Sequence, residues 1–511
     1  MKRTAVLGAF ALSIAALTMT IGAPVSASPA EGERALERFR KQPVDWTACR
    51  DVSLGASRTR CARITVPLDY GRPGGRTIEI AISRITSSDP AKRRGILQTN
   101  PGGPGVRGLG MPRDLRRVMS PGVAAAYDVI GMDTRGLGES TPADCGLDRS
   151  SWLLYAPGAD RAGFDESVRL TREDARRCWD EQADLLPYLS TRNTARDVDM
   201  VRSVLGEAKT SWFGHSYGTV LGSTYAQMFP HRVDRLVLDS APDPAEYPLR
   251  MVRRTGLANE RALDDFARWV APRHGEYGLG RTPAEVRAGV EAMVVRARKA
   301  PIHLGGHRMS DHELPLLFYV LVTDDTADPQ FAQLLRTLLK AEAVAATAGG
   351  KPITVPPWLQ STLDLLFASV GSDRAADYAG QLGIVCADAA MPSDPEHYWR
   401  AVQRSRASQP VFGPMTHAPL PCAFWQEQPR ESLTRIDNEV PALQVQATGD
   451  SRTTYESGLR MHRAMRASRL VTVPVRAHTL YGHYPNDCVE ETVNTYLLRG
   501  TLPARDIVCA R

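Results

Sequence analysis

The pentapeptide Gly214-His215-Ser216-Tyr217-Gly218 constrains this chain more than any other stretch. It follows an apolar run, Thr210–Phe213, and opens a segment, Thr219–Met228, with small residues at Gly222, Ser223 and Ala226. The run reads as a buried strand and the segment as a helix that packs closely through its small face. Between them the chain must reverse within a few residues. Bulky side chains two positions before and after Ser216 would collide in so tight a turn, hence glycine at 214 and 218. A serine held there has its hydroxyl at the carboxyl edge of a parallel sheet. The local sequence thus argues an α/β architecture and supplies a candidate nucleophile.

The surrounding pattern agrees. Alternating segments at Ala62–Leu68 and Thr77–Ile85 flank the turn-rich Gly71-Arg72-Pro73-Gly74-Gly75 and read as a hairpin. Short apolar runs at Gly95–Thr99, Tyr127–Met132, Arg235–Leu238, Leu443–Ala447 and Leu470–Val475 suit parallel strands, with helical stretches such as Thr194–Leu205 between them. This predicts a mostly parallel central sheet contributed by residues 44–241 and 439–511. From 242 to 438 helical patterns dominate instead. Thr282-Pro283-Ala284-Glu285 and Ser393-Asp394-Pro395-Glu396 read as capping boxes, and Phe331–Ala346 as a helix ended by Gly349-Gly350. An insertion of roughly 200 residues is too long for a loop, so a large helical cap is expected between late sheet strands.

A nucleophilic serine needs a base, and the base needs an orienting carboxylate. The run at Leu443–Ala447 leads into Thr448-Gly449-Asp450, which puts Asp450 at a strand's carboxyl end. It could instead cap the helix that follows; the chain order of serine, acid and histidine favours the catalytic role. The next strand leads into Arg476-Ala477-His478-Thr479, so His478 sits where the base belongs. His483 is the rival, five residues on. The oxyanion needs N–H donors, and Asn100-Pro101-Gly102-Gly103-Pro104-Gly105 follows a strand with glycines that admit a close approach. Gly103 and Tyr217 are the candidate donors. Gly103, Gly105 and Gly108 also match GxGxxG, but Pro104 within it and the serine turn further on argue against a dinucleotide.

Lys2 and Arg3 precede an apolar run from Ala5 to Ala23, and Val25-Ser26-Ala27 has the small residues that a signal peptidase accepts. A cleaved signal peptide over 1–27 is expected rather than a membrane anchor, since Pro24 interrupts the run and no basic cluster follows. Residues 28–43 are read as a propeptide or a flexible start. No later segment approaches the ~20 apolar residues of a spanning helix, so no integral membrane segment is expected in the mature chain. Eight cysteines in an exported chain point to disulfides, and nearest neighbours pair without crossing: Cys49–Cys61, Cys145–Cys178, Cys386–Cys422 and Cys488–Cys509. They are too dispersed for a metal knuckle, and no CxxC or HExxH occurs, so neither metal nor cofactor is expected. A net charge of +6, from 63 basic and 57 acidic residues, is too weak to argue for a nucleic-acid partner.

The set of motifs resembles the secreted bacterial tripeptidyl-aminopeptidase branch of the prolyl-iminopeptidase-like serine peptidases. It comprises Val66–Tyr70, Asn100–Gly105, Asp133-Thr134-Arg135-Gly136-Leu137-Gly138-Glu139-Ser140, the serine turn running on to Phe229–Val233, Leu238-Asp239-Ser240, Cys386-Ala387-Asp388 and the tail from Cys488 to Cys509. The resemblance implies an α/β-hydrolase fold with a helical cap. It also implies a secreted aminopeptidase acting on peptides with a free N-terminus; an esterase on the same scaffold is the alternative. This chain departs from the family pattern with Ala477 before His478, and with Ser240 where glycine is frequent. An aminopeptidase must bind the substrate ammonium, and Asp388, beside Cys386, is a candidate, although it could equally cap a helix.

Overall fold

The computed structural model describes residues 29–51, 54, 58–147, 156–345, 353–367 and 372–511. The expected signal peptide over 1–27 lies outside them, as does the Gly349-Gly350 helix stop. Twelve strands are found among the described residues. Ten of them form one sheet: β1 (Thr47–Ala48), β2 (Arg60–Pro67), β3 (Thr77–Ile85), β4 (Gly95–Asn100), β5 (Tyr127–Met132), β6 (Thr210–His215), β7 (Val233–Asp239), β10 (Ala442–Ala447), β11 (Ser468–Val473) and β12 (Ile507–Val508). The remaining pair, β8 (Ile302–Leu304) and β9 (His307–Met309), makes a separate hairpin.

The sheet runs β1-β2-β3-β5-β4-β6-β7-β10-β11-β12. Its first three strands pair antiparallel, as does β3 with β5. Every pairing from β5 to β12 is parallel. The central strands are buried on both faces, and successive residues feed opposite cores. Ile96, Trp212, Leu236 and Leu238 join one apolar cluster with Val198, Val201, Val220 and Leu221 of the helices Thr191–Val204 and Tyr217–Met228. Leu97, Phe213 and Val237 join the other, with Val489, Val493 and Leu497 of the helix Asp487–Arg499. This is the mostly parallel α/β-hydrolase sheet that the sequence predicts.

The chain between β7 and β10 adds nothing to this sheet among the described residues. Much of it packs around itself: Leu263, Phe266, Val290, Phe318, Phe331 and Leu335 share a third cluster, joined by Leu363 and Phe412 from further along. Two later helices do otherwise. Leu382 and Val385 of Ser372–Asp388, and Tyr398 and Val402 of Pro395–Arg406, belong to the main core. The insert is therefore not one independent body.

Three local readings change. At Ser393–Glu396 the N-cap is Asp394, whose carboxylate accepts from Glu396 N at 2.9 Å with Pro395 next in line. Thr282 caps as expected, accepting from Glu285 N at 3.2 Å. Residues 29–40 form a helix rather than a flexible start. Its end is anchored by buried Phe39 and by Gln42, which exchanges two 2.8 Å hydrogen bonds with the Thr65 backbone. The β8–β9 hairpin interrupts the helical insert. Four disulfides join the cysteines in the nearest-neighbour pairs. No described helix is long and apolar enough to cross a membrane.

Candidate active site

β6 ends on His215 and the helix begins on Tyr217, so the whole reversal falls on Ser216. Its backbone sits at φ 53°, ψ −119°, a region that non-glycine residues occupy at a cost. The surroundings hold it there. Ser216 N donates to Asp239 O at 2.9 Å, and Ser216 O accepts from Thr219 N at 2.8 Å. A β-carbon on Gly214 would lie 2.3 Å from Gly218 O, and one on Gly218 would lie 2.6 Å from Asn100 O. Glycine at both positions is thus a steric requirement of the turn.

Strand β4 delivers the glycine turn to the same place. Gly102, at φ 101°, packs so closely on the serine that a β-carbon would meet His215 O at 2.7 Å and Ser216 Cβ at 2.9 Å. Its N–H is committed to Asn100 Oδ1 at 2.9 Å. Gly103, at φ 103°, is the next residue and lines the cavity in front of Ser216.

Asp450 and His478 arrive from β10 and β11. His478 Nδ1 lies 2.9 Å from Asp450 Oδ2 and 3.1 Å from Oδ1. The carboxylate is fully satisfied: Arg452 N at 2.7 Å and Thr453 N at 2.9 Å donate to Oδ1, and the Thr453 hydroxyl donates to Oδ2 at 2.8 Å. Its side chain is wholly buried, whereas 18% of the His478 side chain is exposed. Ser216 and His478 open on one cavity of about 820 Å³. His483 also lines it but does not face Asp450. Its ring stands edge-on to His215 at 4.7 Å, and burial, with His215 adding to it, lowers its pKa. Geometry thus distinguishes the two histidines that the sequence left in competition.

Asp388 is elsewhere. Its carboxylate accepts from Thr191 N at 2.7 Å and from the Thr191 hydroxyl at 2.5 Å, and that hydroxyl in turn accepts from the Tyr217 hydroxyl at 2.8 Å. It does not line the cavity and is 5% exposed. Burial raises its pKa to about 7, against the bonds from Thr191. The position is that of a polar clamp between the helices Ser372–Asp388 and Thr191–Val204, behind Tyr247, which lines the cavity.

Two residues without a role in the sequence reading knit the site together. Asp239, at the end of β7, accepts through its carboxylate from Leu480 N and Tyr481 N at 2.9 and 2.8 Å. His215 Nε2 lies 3.3 Å from the same carboxylate. Burial opposes its charge, but His215 and the two N–H groups outweigh it and hold the carboxyl below the usual range. Ser240, at φ 63°, donates to Asp239 Oδ1 and accepts from Thr479 N at 2.9 Å, while its own N–H bonds to Val445 O on β10. Serine stands at a positive φ, and its hydroxyl is used on the histidine loop. The motif Leu238-Asp239-Ser240 was the available signal; its partners, some 240 positions away, were not.

The Asp133–Ser140 stretch is a buttress. Asp133 accepts from Gly108 N at 2.7 Å and Glu139 N at 2.9 Å, and Arg135, fully buried, forms a two-pronged pair with Asp197 at 2.7 Å.

Known proteins match the chain along most of its length. Residues 409–509 match the family model for TAP-like proteins, and residues 99–299 match that for the alpha/beta hydrolase fold. Tripeptidyl aminopeptidase of Streptomyces lividans is 32% identical over 494 residues, covering 93% of this chain and 88% of its own. The serine protease Hip1 of Mycobacterium tuberculosis is 28% identical, covering 92% and 91%. Carboxylesterase B of the same species is 30% identical, covering 91% and 89%. The elbow serine, the β7–β10 insert and this shared length lead to one conclusion: the chain belongs to the tripeptidyl-aminopeptidase-like family of α/β-hydrolases and is a serine hydrolase.

Proposed function

We propose that this chain is an exported serine aminopeptidase that releases short N-terminal units, tripeptides foremost, from peptides with a free amino terminus. The observation that carries the reading is His478, 2.9 Å from the buried Asp450 carboxylate and opening on the same cavity as the strained Ser216. Ser216 Oγ attacks the scissile carbonyl carbon, and its proton passes to His478 Nε2. The Gly103 and Tyr217 N–H groups receive the oxyanion. Collapse of the tetrahedral intermediate breaks the C–N bond, and His478 gives its proton to the leaving amine. Water then attacks the acyl-enzyme, surrendering a proton to His478, which returns it to Ser216 as the ester bond breaks. Asp450 keeps the imidazole oriented throughout and stabilises its charged form.

The names borne by the Streptomyces relative and the mycobacterial protease support peptides as substrates. Glu139 and Asp114 also line the cavity, each already beside an arginine, Arg63 at 3.4 Å and Arg113 at 3.0 Å. The amino-terminal signal pattern and four disulfides support export. A second reading, a carboxylic-ester hydrolase, is favoured by the carboxylesterase relative alone.

Mass spectrometry of a mixed peptide digest, half of it N-acetylated beforehand, separates these readings. Stepwise losses of three residues from free-amine peptides only are expected. Equal attack on both halves would remove the aminopeptidase reading, and cleavage of acyl esters without cleavage of any peptide would transfer the assignment to the esterase.

A further inference from the structure

One cation on the cavity wall has no carboxylate partner among the described residues. Arg107 and Arg113 line the same cavity, and each faces an acid: Asp377 at 2.7 Å and Asp114 at 3.0 Å. Arg452 does not. Its guanidinium carbon lies 3.1 Å from the centre of the Tyr319 ring, and Nη2 donates to the Tyr319 carbonyl oxygen. Both contacts are to neutral groups. Nη1 is closed off from water and has no acceptor. Burial lowers the pKa of the group, and no neighbouring charge enters to offset it. A guanidinium nevertheless remains protonated in proteins, so the positive charge stays, together with an unfilled donor.

Such an arrangement is unfavourable in isolation. A half-buried cation without a counter-charge is compensated only in part by a cation–π contact and one neutral hydrogen bond. A purely structural strut to the helix Leu314–Leu321, which carries Tyr319, accounts for Nη2 and the ring contact. It does not account for Nη1, nor for the absence of an acid of the kind given to Arg107 and Arg113.

The location says which part of a substrate would meet it. Arg452 N is fixed on Asp450 Oδ1, and the next hydroxyl along, Thr453 Oγ1, lies 3.4 Å from His478 Nδ1. Arg452 therefore stands on the histidine side of the cavity. The imidazole must hand its proton to the departing amine, so the departing fragment occupies that side. We propose that Arg452 forms a subsite for a carboxylate carried by the leaving fragment of the substrate. A planar carboxylate would meet the part of the guanidinium that faces the cavity and supply the missing charge. Its source is either the α-carboxylate of a short leaving fragment or an acidic side chain close to the cut bond.

This subsite rests on the acyl-transfer reading above, and the test keeps the two apart. Three tetrapeptides sharing their first three residues are compared: one ending in free alanine, one in alanine amide and one in aspartate amide. In the wild-type enzyme kcat/KM for the free acid, or for the aspartate amide, should exceed that for alanine amide by about 10–100-fold. The first result assigns the α-carboxylate and the second the side chain. In Arg452→Gln that ratio should fall to near one, with thermal melts reporting whether the variant is folded. Equal rates for all three peptides with the wild-type enzyme overturn the proposal without any variant, and so does a preference that survives in Arg452→Gln. Should no peptide be cleaved while phenyl acetate is hydrolysed, the peptidase reading fails by itself. The subsite is then decided by 3-carboxyphenyl acetate against phenyl acetate, where a carboxylate preference lost in Arg452→Gln upholds it and an equal rate overturns it.

Discussion

The carboxyl edge of the sheet and the β7–β10 insert are held by different means. At the edge, backbone groups and short buried side chains fix every loop. Asp239 and Ser240 alone tie the serine turn, the strand before Asp450 and the loop carrying His478, through bonds to Ser216 N, Val445 O, Thr479 N, Leu480 N and Tyr481 N. The first half of the insert packs on its own apolar cluster and meets the edge through long polar side chains. Arg476 reaches Asp328 at 2.5 Å, Arg452 lies on Tyr319, and Asn259 Nδ2 donates to Ser451 O at 3.1 Å. Rigid geometry is thus concentrated where bonds are made and broken. The first half of the insert is seated on the edge by polar side chains, whereas its later helices bury apolar residues in the main core. Substitutions at the edge should cost turnover, and substitutions at the seam should cost stability.

The largest effect expected is at Ser216. Ser216→Ala should lower kcat by about 10⁴-fold or more while leaving the thermal melt unchanged, because the turn keeps its β-carbon and its hydrogen bonds. Retained turnover in a purified, folded variant would overturn the nucleophile assignment. The seam should behave oppositely. Arg476 and Asp328 are 5% and 2% exposed, and burial raises the Asp328 pKa to about 6 even beside the arginine. Arg476→Ala leaves that carboxyl buried without its partner and should destabilise the fold by about 3–5 kcal/mol in denaturant titration. The double substitution Arg476→Met, Asp328→Leu should recover much of this. A single-variant loss below about 1 kcal/mol would mean that the pair contributes little to seating the insert.

How much of this was legible follows from the range of the interactions involved. The serine turn could be read because its requirements are local: a buried strand, two glycines and a small-faced helix within some twenty residues. Asp450 and His478 could be read because each follows a strand by a few positions. The hairpin at Ile302–Met309 was missed although Gly305-Gly306 is a recognisable two-residue turn, because strands of three residues carry almost no period. Asp394 displaced Ser393 as cap because Pro395 is best accommodated at the first helical position, which fixes the cap one residue earlier. Arg452 could not be read at all. Nothing local distinguishes an arginine with a carboxylate partner from one without, and Tyr319 is 133 residues away. Asp388 was singled out as an acid beside a disulfide, and the same remoteness hid Thr191, which turns it away from the cavity.

Asp388 offers a pH-dependent way to sharpen the comparison, since it joins a late helix of the insert to the main core. Its folded pKa of about 7 lies above the ordinary carboxylate value of 3.8, so the folded chain retains this proton longer than the unfolded chain. Stability from this group is complete below about pH 4, falls as pH rises toward 7, and is flat above. Asp388→Asn, isosteric with the neutral acid, should remove the fall. Wild-type and variant melts should coincide near pH 4, and the wild type should be less stable at pH 8 by roughly 2–4 kcal/mol. Parallel pH profiles would show that the clamp does not hold its proton.

The smallest effect expected is the most discriminating, because it separates a hydroxyl from the backbone strain beneath it. Ser240 and Thr479 both adopt positive φ, 63° and 66°, and the Ser240 hydroxyl accepts the Thr479 N–H next to His478. Glycine at 240 relieves the strain and removes the acceptor; alanine keeps the strain and removes the acceptor. If the hydroxyl positions the histidine loop, both variants should lose about tenfold in kcat/KM, since a small displacement of a catalytic group is enough for such a loss. Only the alanine variant should also lose stability, by about 1 kcal/mol in thermal melts. Full activity in the glycine variant would mean that Asp239, through Leu480 N and Tyr481 N, holds the loop without help. The edge would then depend on one carboxylate rather than on a residue pair, and the contrast with the first half of the insert would narrow accordingly.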